Sequence, residues 1–191
     1  MQLQGDLAVL GDYNGGANNL GKVTTCTRMA GVWQATGEQF GATAEQYFGY
    51  DLGLNGDLLA VSSSGLAKPT QIFRPGGANW LPKASIQPLD STALIYCVRP
   101  AIRTMRLALG CFEGTGTKEG AIYLFEKQGN NWVQSQKITL PNPRQDDFTG
   151  ANDVTFDPRG ELLFGVNARD LSFQDQGAVY RNAELLRDGF E

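Results

Sequence analysis

The sequence contains no histidine among its 191 residues. This absence excludes the usual general base at neutral pH, the Ser-His and Cys-His nucleophile pairs, and the commonest zinc ligand. Cysteine is scarce: Cys26, Cys97 and Cys111 stand at unrelated spacings and form no CxxC motif of the kind that binds metals. Because Cys26 and Cys97 lie in strand-like runs, we expect these cysteines to be small buried hydrophobic residues.

Long apolar runs and clusters of one charge sign are also missing. No window approaches the ~18 apolar residues of a membrane span, so none is expected. The start of the chain, MQLQGDLAVLGDY, lacks the basic, apolar and small-residue regions of a signal peptide. We therefore expect either an intracellular chain or one whose signal lies outside this sequence. The net charge of −4 is spread evenly, which argues against binding to nucleic acid or anionic membranes.

Glycine, by contrast, is abundant, and one glycine-bearing segment repeats. Residues 120–132 read GAIYLFEKQGNNW. Diverged copies of this segment occur at 21–33, at 68–80 and, without the tryptophan, from 177 onward. A short apolar run precedes each copy: DLAVLG from residue 6, DLLAVS from 57, RLALGC from 106 and ELLFGV from 161. Such runs indicate buried strands, and a period near 50 residues is typical of propeller blades.

Each repeat predicts a four-stranded antiparallel meander. The apolar strand is followed by the glycine-turn strand, a strand starting at Trp33, Trp80 or Trp132, and a fourth strand that turns back into the next repeat. Tight hairpins are predicted at residues 55–57 and 157–161. We therefore predict one all-β domain, residues 1–191, forming a β-propeller of about three and a half blades, with approximate units 5–56, 57–105, 106–160 and 161–191.

The loops of this meander predict two different faces. Loops after the first and third strands are long and polar and share one side, here called the loop face. Turns after the second and fourth strands are short and share the opposite side, the turn face. Because loops on a rigid scaffold carry function, we expect binding at the loop face. The candidate ligand- or cation-binding residues there are Asp12, Asn14, Glu113, Glu119, Asp146, Asp147, Asp170 and Asp175.

These acidic loops have two interpretations. If the side chains converge, their oxygen atoms suit Ca²⁺; otherwise they are ordinary acidic surface loops and no cofactor is required. The three tryptophans likewise either pack on the outer part of the sheets or provide platforms for stacking sugars.

Several segments resemble FG-GAP repeats, the blades of integrin-α-like β-propellers. They are GDLAVLG, the Phe48-Gly49 pair ahead of DLGLNGDLLAVS, and GAIYLFEKQGNNWVQSQKI. The resemblance implies an interaction module that binds a protein or glycan ligand, and an extracellular or cell-surface location. The sequence departs from the family at its calcium loop, which begins at Asp12 but continues only with asparagines. The Phe-Gly pair is lost in the third unit and spread over residues 148–150 in the fourth.

The strand count leaves ring closure open. Four pairs of first and second strands accompany only three pairs of third and fourth strands, and an open edge invites pairing. Residues 1–4 or 183–187 could complete a four-bladed ring, a homodimer could form seven blades, or the chain could be a fragment.

The function expected from these patterns is a non-catalytic binding or interaction module with a protein or carbohydrate ligand. The alternative is a propeller glycoside hydrolase or lyase that uses two of the loop carboxylates, which such chemistry requires on either side of a sugar bond.

Overall fold

A computed structural model describes residues 1–44, 46–65, 68–77, 79–89, 96–112, 119–140, 147–150, 153–166 and 177–181. These residues form an all-β structure, and within these ranges a single 3₁₀ turn, Ala17–Asn19, is the only helical element. The strands are β1 (Gln2–Gln4), β2 (Leu7–Asp12), β3 (Lys22–Met29), β4 (Val32–Phe40), β5 (Phe48–Asn55), β6 (Leu58–Ser63), β7 (Thr70–Gly76), β8 (Asn79–Ile86), β9 (Tyr96–Arg103), β10 (Arg106–Phe112), β11 (Ala121–Gln128), β12 (Asn131–Ile138), β13 (Val154–Phe156), β14 (Leu162–Val166) and β15 (Ala178–Arg181).

The strands form four antiparallel meanders in chain order. Sheet 1 comprises β1–β4, sheet 2 β5–β8, sheet 3 β9–β12, and sheet 4 the three strands β13–β15. The predicted all-β architecture of four-stranded antiparallel units is thus present in sheets 1–3. No helix in the described part of the chain is long and apolar enough to cross a membrane.

Each sheet begins one strand earlier than the corresponding sequence unit. The last strand of the unit 5–56, β5, pairs with β6 of the next unit, with Asn55 opposite Leu58. The predicted hairpin at residues 55–57 is confirmed, and Gly56 has the positive φ of 61° that a two-residue turn favours. This tight turn holds β5 and β6 in one sheet, whereas the longer segment after β4 leads to a new sheet.

The repetition extends to irregularities in strand pairing. In each of sheets 1–3 the third and fourth strands form the hairpin that leads to the tryptophan. The pairing of these two strands changes register at Thr25/Cys26, at Ile72/Phe73 and at Leu124/Phe125, respectively. A β-bulge bends the strand and increases its twist. The sequence repeat of residues 120–132 therefore corresponds to a repeated three-dimensional unit.

Three apolar layers hold neighbouring sheets together. Successive side chains on a strand point to opposite sides, so each middle sheet can pack against two neighbours. The layer between sheets 1 and 2 contains Val9, Val23, Leu59, Val61, Phe73 and Trp80. The layer between sheets 2 and 3 contains Leu58, Ala60, Ile72, Leu107, Leu109, Tyr123 and Phe125. The layer between sheets 3 and 4 contains Ala108, Ile122, Leu124, Leu162, Phe164 and Val166.

The three tryptophans occupy equivalent strands but differ in environment. Trp80 is 6% exposed, and its Nε1–H donates a hydrogen bond of 2.8 Å to the Thr25 hydroxyl of sheet 1. Trp132 packs against the layer between sheets 2 and 3. The packing role is thereby confirmed for both. Trp33 is 42% exposed, because among the described residues no sheet precedes sheet 1.

The cysteine expectation is confirmed for the burial of Cys97 and Cys111, but the two are bonded to each other and are not separate hydrophobic side chains. Cys97 and Cys111 lie opposite each other on β9 and β10 and form a disulfide that is buried in the layer between sheets 2 and 3. Their pairing depends on a register change at Gly110/Cys111, which the sequence pattern does not reveal. Cys26 is a free, half-buried thiol.

The N-terminal residues do form a strand. β1 pairs with β2 and is the fourth strand of sheet 1. The sequence offers residues 1–4 as one of two segments that could complete a four-bladed ring. The other candidate, residues 183–187, lies outside the described residues.

Candidate functional site around the central cavity

The first strand of every sheet contributes to one cavity. β1, β5, β9 and β13 line a space of about 560 Å³. Among the described residues each of these strands pairs on one side only, so polar groups along its open edge can reach the cavity. The polar residues lining it are Gln2, Asp51, Asn55, Arg99, Arg103, Asp153 and Thr155.

An ion pair lies on the part of the cavity wall nearer to the loop face. Arg99 Nη1 of β9 is 3.3 Å from Asp51 Oδ2 of β5, and the two side chains are 31% and 27% exposed. The Nε of Arg99 is buried and has no hydrogen-bond partner within the described structure. Both side chains of the ion pair are partly exposed, so the Nη groups of Arg99 keep donor capacity for a ligand and the Asp51 carboxylate keeps acceptor capacity.

Ser62 binds the backbone of the two strands, β5 and β9, that carry this ion pair. Its buried hydroxyl lies 3.0 Å from the Asp51 backbone N–H and 3.0 Å from the Val98 carbonyl, the residue before Arg99. The equivalent positions in sheets 1 and 3 are Gly11 and Gly110, where a Cβ would overlap the carbonyl of Gly49 on β5 and of Gly150 in the segment ahead of β13, respectively. Between sheets 2 and 3, the Ser62 hydroxyl stands where the other two interfaces have direct contact between backbones. Its hydrogen bonds hold the backbone beside Asp51 and Arg99 in place.

Two tyrosines adjoin the ion pair. The ring of Tyr13, in the segment after β2, lies 5.4 Å from the ring of Tyr50 on β5. The Arg99 guanidinium is 5.9 Å from the Tyr50 ring, within reach of a cation–π interaction. Tyr13 is 44% exposed. An aromatic surface beside a charged pair thus joins three sheets on the loop-face side.

The turn face is different, because its polar groups bind one another. Gln4 exchanges two side-chain hydrogen bonds with the Gly56 backbone. Asn55 Oδ1 accepts a hydrogen bond from the Thr104 N–H. Further along, Arg103 donates to the carbonyls of Asp157 and Pro158, and Arg106 donates to that of Gly160. These hydrogen bonds link each of these turns to the turn of the next sheet, so they stabilise the packing of neighbouring sheets.

Asp157 closes the turn into β14. Burial raises its pKa, but backbone N–H groups of Glu161 and Arg159, each donating to Oδ1 at 2.8 Å, outweigh burial and lower the pKa below its ordinary value. The predicted hairpin at residues 157–161 is confirmed by the pairing of Phe156 with Leu162.

Four of the eight predicted site residues fall within the described structure. Asp12 and Asn14 are exposed around the end of β2. Glu119, in sheet 3's loop, accepts a hydrogen bond from the Thr149 N–H through its carbonyl. Asp147 is fully buried. Glu113, Asp146, Asp170 and Asp175 lie outside the described residues.

Asp12 has a basic neighbour. Lys22 stands opposite it in the β2–β3 pairing, and a hydrogen bond of 2.9 Å to Glu38, together with the charges of Glu38 and Asp12, raises the pKa of Lys22. Within the described ranges no three His, Cys, Asp or Glu side chains lie close enough together to hold a metal ion. Among the described candidates, Asp12 lies on sheet 1 and Glu119 lies just before β11 of sheet 3.

Sequence reasoning missed the cavity residues Asp51, Arg99 and Asp153 and the tyrosine pair. Their convergence arises from sheet packing, which no local pattern reports. A weak signal exists at Arg99, a charge within the otherwise apolar strand segment ALIYCVRP, and at Tyr50-Asp51, which follow the Phe48-Gly49 pair.

Neither protein-family models nor a search of curated proteins gave a match to this chain.

Proposed function

We propose that this protein is a non-catalytic binding module of propeller type, which binds an oligosaccharide at the loop-face end of its central cavity. The observation that carries the proposal is the Tyr13–Tyr50 pair beside the Asp51–Arg99 ion pair. Aromatic rings stack on the apolar face of a sugar, while charged donors and acceptors bind its hydroxyl groups. A protein ligand with a polar surface is the other ligand class implied by the FG-GAP resemblance.

Propeller architecture is supported by four sheets packed in chain order with their first strands lining one cavity. The two ends of that cavity differ. On the turn face the hydrogen bonds between successive turns occupy the polar groups, whereas Tyr13 and Arg99 near the loop face retain exposed surface. The loop face is therefore the proposed binding surface.

The buried Cys97–Cys111 disulfide supports an extracellular or cell-surface location, because disulfides persist in oxidising compartments. The proposed role of Ca²⁺ is to stabilise the loops of the loop face that contain Asp12 and Glu119. A change in melting temperature on addition of CaCl₂, reversed by chelation, would support it.

A second candidate function is glycoside hydrolysis. Asp51 and Asp153 line the same cavity, and two carboxylates are what that reaction needs. We favour binding because Asp51 is already engaged by Arg99. Release of nitrophenol from a panel of nitrophenyl glycosides distinguishes the two functions. A hydrolase would release it and would lose this activity in Asp153→Asn, whereas a binding module would release none.

The binding experiment uses an array of neutral and acidic oligosaccharides, followed by calorimetry on the sugars that bind. We expect Tyr13→Ala to weaken binding by about tenfold, which corresponds to the ~1.4 kcal/mol of a stacking contact. Met105→Ala provides a matched control, because Met105 is also solvent-exposed, at 54% against 44% for Tyr13, but lies on the turn face. Absence of any sugar ligand, or equal effects of the two variants, would overturn the proposal.

A further inference from the structure

The two interfaces between sheets 1, 2 and 3 follow one rule. In each, the tryptophan-bearing side of the later sheet packs on the earlier sheet. Trp80 of sheet 2 donates its hydrogen bond to Thr25 of sheet 1, and Trp132 of sheet 3 packs with Leu58 and Ile72 of sheet 2. Sheets 2 and 3 thus each have a tryptophan side, which faces backward along the chain, and an opposite side, which faces forward.

The tryptophan side of sheet 1 is uncovered among the described residues. Directly opposed residues of antiparallel strands share a side, and the pairings of Ala8 with Cys26 and of Arg28 with Trp33 define it. Thr25 points to the other side, toward sheet 2. We call this surface the Trp33 face. It consists of Leu3, Ala8, Leu10, Cys26, Arg28 and Trp33, of which Leu3, Leu10 and Trp33 are 61%, 38% and 42% exposed.

The forward side of sheet 4 is the matching surface, and no described residue of another sheet covers it. Leu162, Phe164 and Val166 pack on sheet 3, so alternation places Leu163 and Gly165 on the opposite side, together with Val179. We call these three residues the Val179 face; Val179 is 76% exposed. A Cβ at Gly165 would have no neighbour within 4 Å in the described structure, whereas at Gly110 it would overlap the next sheet.

We propose that the Trp33 face of one chain binds the Val179 face of a second copy of the same chain. The two surfaces are the two halves of the sheet–sheet interface that the chain already forms internally, so a second copy continues an established packing. Under two-fold symmetry the reciprocal contact forms as well, which closes the assembly and covers both exposed faces. Such a dimer has eight sheets, because each chain supplies four, whereas the homodimer alternative drawn from the strand count has seven blades.

Cys26 provides a built-in probe of this interface. It is the free thiol of the chain, it is half-buried, and it lies in the middle of the Trp33 face between Ala8 and Ala35. The experiment measures molar mass by light scattering and the rate of Cys26 alkylation by a maleimide, both over a wide range of protein concentration. Cys26→Ser gives the background of the alkylation assay.

We expect the mass to rise from one chain to two, and Cys26 alkylation to slow over the same concentrations. Trp33→Glu and Val179→Glu should each weaken association by about a hundredfold or more, since a buried unpaired carboxylate is costly, while both positions are exposed in the single chain. Met105→Glu, on the turn face, should leave association unchanged, and circular dichroism checks that each variant is folded.

Three results would overturn the proposal. A one-chain mass at all concentrations with protected Cys26 would indicate closure within the chain. A one-chain mass with reactive Cys26 would indicate a free face. A two-chain mass that neither glutamate variant changes would indicate a different interface. Loss of sugar binding in Tyr13→Ala is independent of all three results.

Discussion

Replacing Trp80 with phenylalanine tests the inter-sheet packing directly. The indole N–H of Trp80 donates to the Thr25 hydroxyl across the interface of sheets 1 and 2, and the two residues are 6% and 8% exposed. Phenylalanine keeps an aromatic ring on the strand but removes the donor and part of the ring volume. The same substitution at the exposed Trp33 is a matched control.

The expected loss of stability has two parts. A net hydrogen bond contributes about 1 kcal/mol, and its loss leaves a buried hydroxyl without this donor. The smaller ring leaves a gap that costs about another 1 kcal/mol. Trp80→Phe should therefore lower the free energy of unfolding by about 2 kcal/mol, whereas Trp33→Phe should change it by less than about 0.5 kcal/mol.

The assay is urea denaturation followed by far-ultraviolet circular dichroism, which does not depend on tryptophan fluorescence. Thr25→Val completes a double-mutant cycle with Trp80→Phe, and we expect a coupling free energy of about 1 kcal/mol. A coupling near zero, or an equal loss of stability at Trp33, would refute the proposed role of the hydrogen bond between the two sheets.

Three further changes have definite expected outcomes. Reducing the Cys97–Cys111 disulfide, which closes a segment with a sequence separation of 14, should cost about 3 kcal/mol of stability; titration of three thiols in the unreduced, unfolded protein would contradict the assignment. Gly110→Ala should destabilise by about 1–3 kcal/mol through overlap with the next sheet's backbone, with Gly165→Ala close to neutral as its control, both measured in urea. Because the pKa of Asp157 is lowered on folding, its contribution is present above the unfolded pKa and is lost as pH falls below about 4; Asp157→Asn should flatten this acid dependence of the melting temperature, and an unchanged profile would count against it.

The local elements of the fold could be predicted from the sequence. Apolar runs bounded by glycine, the tight turn at residues 55–57 and the repeated segment ending in tryptophan are short-range patterns, and the corresponding strands and hairpins are present. The strand boundaries are local because side-chain alternation and turn residues act over only a few positions.

Sheet grouping and the site could not be predicted in the same way. Which strand starts a sheet depends on where the chain crosses to the next layer, and the disulfide depends on a bulge beside Cys111. The proposed site gathers Tyr13, Asp51 and Arg99 from sheets 1, 2 and 3. Their proximity is a consequence of sheet packing, which local sequence patterns do not report.

Sugar binding by the wild-type protein and by Arg99→Lys tests the central claim most directly. Lysine retains the charge of Arg99 but not the planar set of donors that can bind a sugar and Asp51 together. Calorimetry with an oligosaccharide identified on the array should show binding to the wild-type protein that weakens about tenfold or more in Arg99→Lys, with stability nearly unchanged. Equal affinity in the two proteins would contradict a binding site at the loop-face end of the cavity.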